Sequence, residues 1–195
     1  MADKITQFKP LKMQGFTLIE LIVVIIVLAI LAVVAASKYV DLKRDAAISD
    51  VKATAAAYQQ GVTFVHLRWQ VSGESGAVND LEGYIDNILD INPLGYPLGI
   101  DKNSPMGSPS NIGKGIQGCL DLWNSLLENP PTVSSSNDGS DYQAYRHEAS
   151  PSTGDVTQCT YVLRTLGDTQ GRLDADMKIL YDSNNGTARA IITDL

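Results

Sequence analysis

Residues 15 to 36 form a membrane-length run of apolar side chains that contains a single carboxylate, Glu20. A helix of that composition must lie in lipid or against other apolar helices. A charge inside hydrocarbon is expensive and marks a function with a specific partner. Cleavage after Gly15 makes the charge intelligible, because Phe16 then carries a new α-amino group one helical turn from Glu20.

The segment before the run contains Lys4, Lys9 and Lys12 against Asp3. A short basic flank stays in the cytoplasm, so the carboxyl-terminal part is expected to be exported. An ordinary secretory signal is the competing reading, with Ala35-Ala36-Ser37 as a small-residue cleavage site. Its apolar core is usually about 7–15 residues, shorter than this run. Without the leader the chain keeps 12 Lys and Arg against 21 Asp and Glu, a formal charge of −9. Clustered cations are what phosphate contacts need, so the balance argues against nucleic-acid binding.

No proline occurs between Phe16 and Asp80, and the only glycines there are Gly61, Gly73 and Gly76. Beyond the apolar run, Val40, Ala47, Val51, Ala55, Tyr58, Val62, Val65 and Trp69 recur at spacings of three, four or seven. That is one apolar face of a helix, with Asp41, Lys43, Arg44, Asp45, Asp50 and Lys52 mostly off it. The pattern predicts one helix from Phe16 to about Gln70, roughly 80 Å long at about 1.5 Å per residue. Its second half then packs on a domain.

Ser72-Gly73-Glu74-Ser75-Gly76 ends the helix. Residues 71 to 118 read as an irregular connection with a short helix near 79–89 and prolines at 93, 97, 105 and 109. Cys119–Leu127 reads as a second helix that buries Leu122, Trp123, Leu126 and Leu127. Thr132–Ser140 is a polar loop. Strands are expected at 142–147, 157–164, 177–181 and 187–192, the last two joined by a tight Asn-Gly hairpin. The fold expected is α+β, a long amino-terminal helix packed on a carboxyl-terminal antiparallel sheet. In an exported chain, the pair Cys119 and Cys159 favours a disulfide over two free thiols. It would close a 41-residue loop, for which loop entropy gives about 4 kcal/mol.

Lys12-Met13-Gln14-Gly15-Phe16-Thr17-Leu18-Ile19-Glu20 and the apolar run resemble the amino-terminal signature of type IV pilins and pseudopilins. The resemblance implies a leader of residues 1–15, an assembly helix of 16–37 and a globular domain of 38–195. That domain divides into a half-helix 38–70, a connection 71–118, and a short helix with a sheet over 119–195. It implies that a prepilin peptidase cleaves between Gly15 and Phe16 and that the new amino group of Phe16 is methylated. Glu20 is then expected to meet the amino terminus of a neighbouring copy in a helical filament built by an inner-membrane machinery. The helix, connection, sheet and cysteine pair resemble type IVa pilins. The stretches Gly95-Tyr96-Pro97-Leu98-Gly99, Cys119…Trp123…Leu126-Leu127 and Cys159-Thr160-Tyr161-Val162 are most like the mannose-sensitive haemagglutinin (MSHA) pilins. Such pilins are major subunits of extracellular filaments that attach to surfaces and glycans. Many carry Gly and Pro as helix breakers where this chain has Ala29 and Ser37. Their absence favours unbroken helix over 29–37.

Other motifs carry less. Gly113-Lys114-Gly115-Ile116-Gln117-Gly118 spells a dinucleotide-binding glycine pattern but lacks the preceding strand and the βαβ unit, so it reads as a turn. His66 and His147 have no second His or Cys at ligand spacing. Asp138/Asp141 and Asp174/Asp176 read as solvated carboxylates rather than a calcium site. Asn185-Gly186-Thr187 matches a glycosylation sequon, yet a turn role suffices. Tyr96, Trp123, Tyr142 and Tyr145 could stack on sugars, with Trp123 the best core residue among them. Thr17 is expected to bond back to helix carbonyls. No catalytic group, metal site or cofactor is expected, and an enzyme has no support. The alternatives to a pilus subunit are a minor pilin, a secretion-system pseudopilin, and a monomeric membrane-anchored sugar-binding module.

Overall fold

A computed structural model describes residues 15–100, 102, 107–149 and 154–193. The expected leader cations Lys4, Lys9 and Lys12, and Pro105 of the connection, lie outside these residues. The chain divides into two units, Met1–Lys43 and Arg44–Leu195. Helix α1, Leu18–Ser72, contributes to both and stays helical through 29–37. It begins two residues later than expected and ends two later. Gly73 follows it at φ 72° with its N–H on the Gln70 carbonyl, a left-handed stop that glycine adopts without a Cβ penalty.

In the first unit, the described residues are Gly15, Phe16, Thr17 and the part of α1 that runs to Lys43. Val40, placed by periodicity on the buried face, is 65% exposed there. The heptad therefore begins to bury side chains only within the second unit.

In the second unit, α1 buries Val51, Ala55, Tyr58, Val62 and Val65, with Ala47 and Trp69 partly covered. A five-stranded sheet of β3 (Val133–Ser134), β4 (Tyr142–His147), β5 (Gln158–Leu163), β6 (Met177–Asp182) and β7 (Thr187–Ile192) is ordered as numbered. The pairs β4–β5, β5–β6 and β6–β7 are antiparallel. Strand β3, inside the segment expected as a polar loop, pairs parallel to β4, so the sheet is mixed rather than wholly antiparallel. Only two residues long, β3 was too short to leave a period-two signal.

Alternation along the strands sends Tyr142, Ala144, Cys159, Tyr161, Ile179 and Tyr181 to the buried face. Tyr58 lies at its centre, with ring centroids 5.7 Å from Tyr161, 5.4 Å from Tyr181 and 6.1 Å from Trp123. Buried hydroxyls need partners. Tyr161 donates to the Cys119 carbonyl at 2.7 Å, Tyr181 to the Pro97 carbonyl at 2.7 Å, and the Tyr58 and Tyr161 hydroxyls pair at 3.2 Å.

Helix α2, Gln117–Leu126, buries Leu122, Trp123 and Leu126, and the Trp123 indole donates to the Pro131 carbonyl at 2.8 Å. Gly61 sits where α1 meets α2. A Cβ there would lie 2.4 Å from the Leu126 carbonyl oxygen, so a glycine inside the helix is required by close approach. Cys119 and Cys159 are disulfide-bonded, joining α2 to β5.

The connection holds more structure than expected. The short helix near 79–89 is only a 3-10 turn at Ile85–Asn87, and β1 (Leu89–Ile91) pairs antiparallel with β2 (Pro97–Ile100). Pro97 opens β2, a strand position that needs no proline N–H. Asn92 ties this hairpin to the sheet. Its Oδ1 accepts from the Leu94 and Tyr96 N–H groups, and its Nδ2 donates to the Ser183 carbonyl at 2.6 Å. The β6–β7 hairpin turns through a four-residue loop, 183–186, that ends in Asn185-Gly186. Of its residues only Gly186 has positive φ, 64°. The loop is tied to β5 by the Ser183 hydroxyl and the Asn184 amide, both donating to Thr157.

Burial pushes the phenols of Tyr58, Tyr161 and Tyr181 up from their ordinary range. The unfolded chain ionises them near pH 10, while the native chain holds the protons. Stability from this cluster is therefore complete below about pH 10 and falls as pH rises above it. Thermal melts of the oxidised chain between pH 9 and pH 11.5 are expected to show a falling Tm from about pH 10 upward. A Tm unchanged across that range would contradict this.

Candidate functional site

The start of α1 is built by local sequence. Thr17 is the N-cap: the Leu21 N–H donates to its carbonyl, the first bond of the helix. The Glu20 N–H donates to Thr17 Oγ1 at 3.3 Å, and Glu20 Oε2 accepts from the Thr17 hydroxyl at 2.7 Å and from its N–H at 2.9 Å. This reciprocal pairing is a capping box. It overturns the expectation that Thr17 bonds back to helix carbonyls, because Thr17 precedes the helix and has no turn behind it. The pattern Thr17-Leu18-Ile19-Glu20 is the capping signature itself, so the signal was present in the sequence.

One carboxylate oxygen is thus consumed within the chain, while Oε1 takes part in none of these bonds. Phe16, Ile19, Glu20, Val23 and Val24 line one shallow apolar recess, so the carboxylate stands among apolar groups. From Phe16 to Val34 the large side chains are exposed, Phe16 at 82% and Val33 at 76%. Among the described residues α1 alone is long and apolar enough to cross a membrane. An apolar surface of this extent in water is unfavourable, so lipid or like helices must cover it.

The other sequence-level candidates serve packing. Tyr96 lies between the His66 ring, 4.7 Å away and stacked, and Gly186, where a Cβ would fall 2.1 Å from Tyr96 Cε1. Trp123 and Tyr142 are fully buried, and the Tyr145 hydroxyl accepts from Arg164 at 2.9 Å. Tyr96, Trp123 and Tyr142 thus offer no open ring face to a sugar. His66 Nδ1 bonds the Gly95 carbonyl at 3.0 Å and Nε2 the Gln70 amide at 2.9 Å, so Nδ1 carries the proton and Nε2 accepts. His147 Nε2 bonds Thr160 Oγ1 at 2.7 Å, and burial pushes its pKa down.

Asp138 accepts from the Ser140 N–H and hydroxyl, and Asp141 from the Thr132 N–H and hydroxyl. Among the described residues no three His, Cys, Asp or Glu side chains converge as metal ligands. Gly113–Ile116 is turn leading into α2, whose first residues are Gln117 and Gly118, and a Cβ on Gly118 would lie 1.9 Å from the Gly113 carbonyl oxygen. Asn185 Oδ1 is held by the Thr187 N–H at 3.1 Å and hydroxyl at 2.6 Å.

Residues 11–36 match the prokaryotic N-terminal methylation motif. No curated protein and no solved structure matches the chain. The motif supports a type IV pilin-like or pseudopilin-type protein, processed by a prepilin peptidase and made as a membrane-anchored precursor. That class is structural rather than enzymatic.

Thr17→Val keeps the backbone donor and removes the hydroxyl from both sides of the box. The first turn is expected to fray, with Glu20 and Leu21 amides of the micelle-bound chain exchanging roughly fivefold faster. Unchanged exchange by NMR would show that the box does not hold the helix start.

Proposed function

We propose that the chain is the structural subunit of an adhesive type IV pilus of the MSHA kind. The carrying observation is one carboxylate, Glu20, oriented by Thr17 at the start of an exposed apolar helix. Cleavage between Gly15 and Phe16 frees the Phe16 α-amino group, which is then methylated. The methylated amine stays cationic. Glu20 Oε1 receives the amino terminus of a neighbouring copy while Thr17 keeps Oε2. A paired buried charge roughly offsets its desolvation, whereas a lone one does not. The contact therefore sets register between copies, and the Val, Ile, Leu and Ala side chains of residues 18–36 supply the packing. The precursor spans the inner membrane once with its carboxyl-terminal domain outside, and the product is an extracellular filament that attaches to surfaces and glycans.

The disulfide and the five-stranded sheet favour a pilus subunit over a secretion pseudopilin. A monomeric anchored sugar-binding module would need neither Glu20 nor the leader.

Two measurements test this. Material sheared from the native cells is expected to have as its dominant protein a chain starting at methylated Phe16 and carrying the disulfide. Trace amounts there would indicate a minor subunit, and retention in the membrane a pseudopilin or anchored module. Glu20→Ala is expected to be processed normally and to lose surface filaments, and wild-type piliation in that variant would sink the role given to the carboxylate.

A further inference from the structure

The apolar part of α1 ends at side chains whose chemistry suits a boundary. Residues 21–37 contain no charge, and Lys38, Tyr39, Asp41, Lys43 and Asp45 follow directly. From Leu18 to Tyr39 the helix rises about 32 Å at about 1.5 Å per residue, close to the roughly 30 Å of a hydrocarbon core. Tyr39 therefore falls where acyl chains give way to headgroups, the level at which tyrosines collect in membrane spans. Tyr39 is 60% exposed, and Lys43 Nζ stands over its ring, 5.2 Å from the centroid. The ring quadrupole holds one side of the ammonium, and lysine has three N–H donors to share with another partner. At about 100° per residue, Tyr39 and Lys43 lie on one side of the helix, with Asp41 and Asp45 about 120–160° away. Lys38 shares the acidic side, so the acids offset Lys38 and leave the Tyr39–Lys43 side positive.

We infer that Tyr39 and Lys43 form a binding site for the phosphate of an anionic membrane phospholipid, at the end of the apolar run that adjoins the globular unit. The inference goes beyond the filament reading and needs only the membrane-anchored precursor. Charge complementarity selects the occupant. A lysine at a membrane surface is drawn to anionic headgroups, whereas a zwitterionic headgroup carries its own cation beside the phosphate. The lysine stem is apolar enough to lie along the acyl boundary while its ammonium reaches the polar zone, and the Tyr39 hydroxyl is a further donor at the same level. In the orientation proposed above this flank faces outward, where membrane spans ordinarily carry few cations. A lipid ligand accounts for a cation kept there. Lipid held at Tyr39 and Lys43 fixes the depth of the precursor, and so keeps Glu20, about 28 Å away along α1, near the opposite interface.

The test titrates the oxidised full-length chain, in a non-ionic detergent, with phosphatidylglycerol or with phosphatidylcholine and counts bound lipids by native mass spectrometry. Phosphatidylglycerol is expected to stay on a several-fold larger fraction of chains than phosphatidylcholine. Lys43→Gln is expected to cut that adduct roughly fivefold, as for one lysine beside an anionic surface. Lys43→Arg keeps the charge and should keep most of the adduct, so a loss confined to Lys43→Gln reports charge and not folding. Tyr39→Leu should lose part of the adduct and Lys38→Gln none. Equal retention of the two lipids by the wild-type chain, or an unchanged phosphatidylglycerol adduct in Lys43→Gln, would overturn the inference. A loss in Lys38→Gln as large as in Lys43→Gln would show a diffuse positive surface in place of a site and overturn it too. The chains tested are dissociated, so this result and the presence of filaments on cells are independent.

Discussion

The globular unit depends on the burial of one side chain, Tyr58, at the meeting point of every layer. Its ring touches Trp123 of α2, Tyr161 of β5 and Tyr181 of β6, and its hydroxyl pairs with that of Tyr161. Tyr161 in turn donates to the carbonyl of Cys119, whose sulfur is bonded to β5. Aromatic rings supply much of the buried area, and their hydroxyls fix where each element may sit. A leucine at 58 would fill space but specify nothing about the Cys119 turn. Asn92 plays the same part at the periphery, where its amide binds the connecting hairpin and the β6–β7 loop together.

The amino-terminal part of α1 follows another rule. There the large apolar side chains are exposed, and a surface of that kind is organised for an outside environment. Thr17 and Glu20 close the helix start without any tertiary contact, because a capping box needs only residues three apart. The same carboxylate caps the start of the helix through Oε2 and leaves Oε1 out of these bonds.

Legibility in the sequence followed the length of each periodic signal. The long helix, α2 and the strands β4 to β7 were readable because each spans several periods, and Cys119 and Cys159 could pair only with each other. β3 and the β1–β2 hairpin were hidden, since two to four residues cannot show a period and Pro97 argued against a strand. Tyr96 and Tyr142 looked available for sugars because burial by distant residues, His66 and Gly186 for one and Trp123 for the other, leaves no mark on the local pattern. At the helix start the parts are contiguous, and Thr17-Leu18-Ile19-Glu20 spells the capping box that the reading of Thr17 as a back-bonding side chain passed over.

The disulfide has a mechanical consequence. It closes residues 119–159, which include most of α2 and all of β3 and β4, into a ring. When the chain is pulled between α1 and its last strand, force passes from Cys119 to Cys159 through sulfur and bypasses the 39 residues between them. Those residues would otherwise release on the order of 140 Å of slack as they straightened. An oxidised copy under tension therefore yields only from its flanks, and its reach at rupture is set before any hydrogen bond breaks.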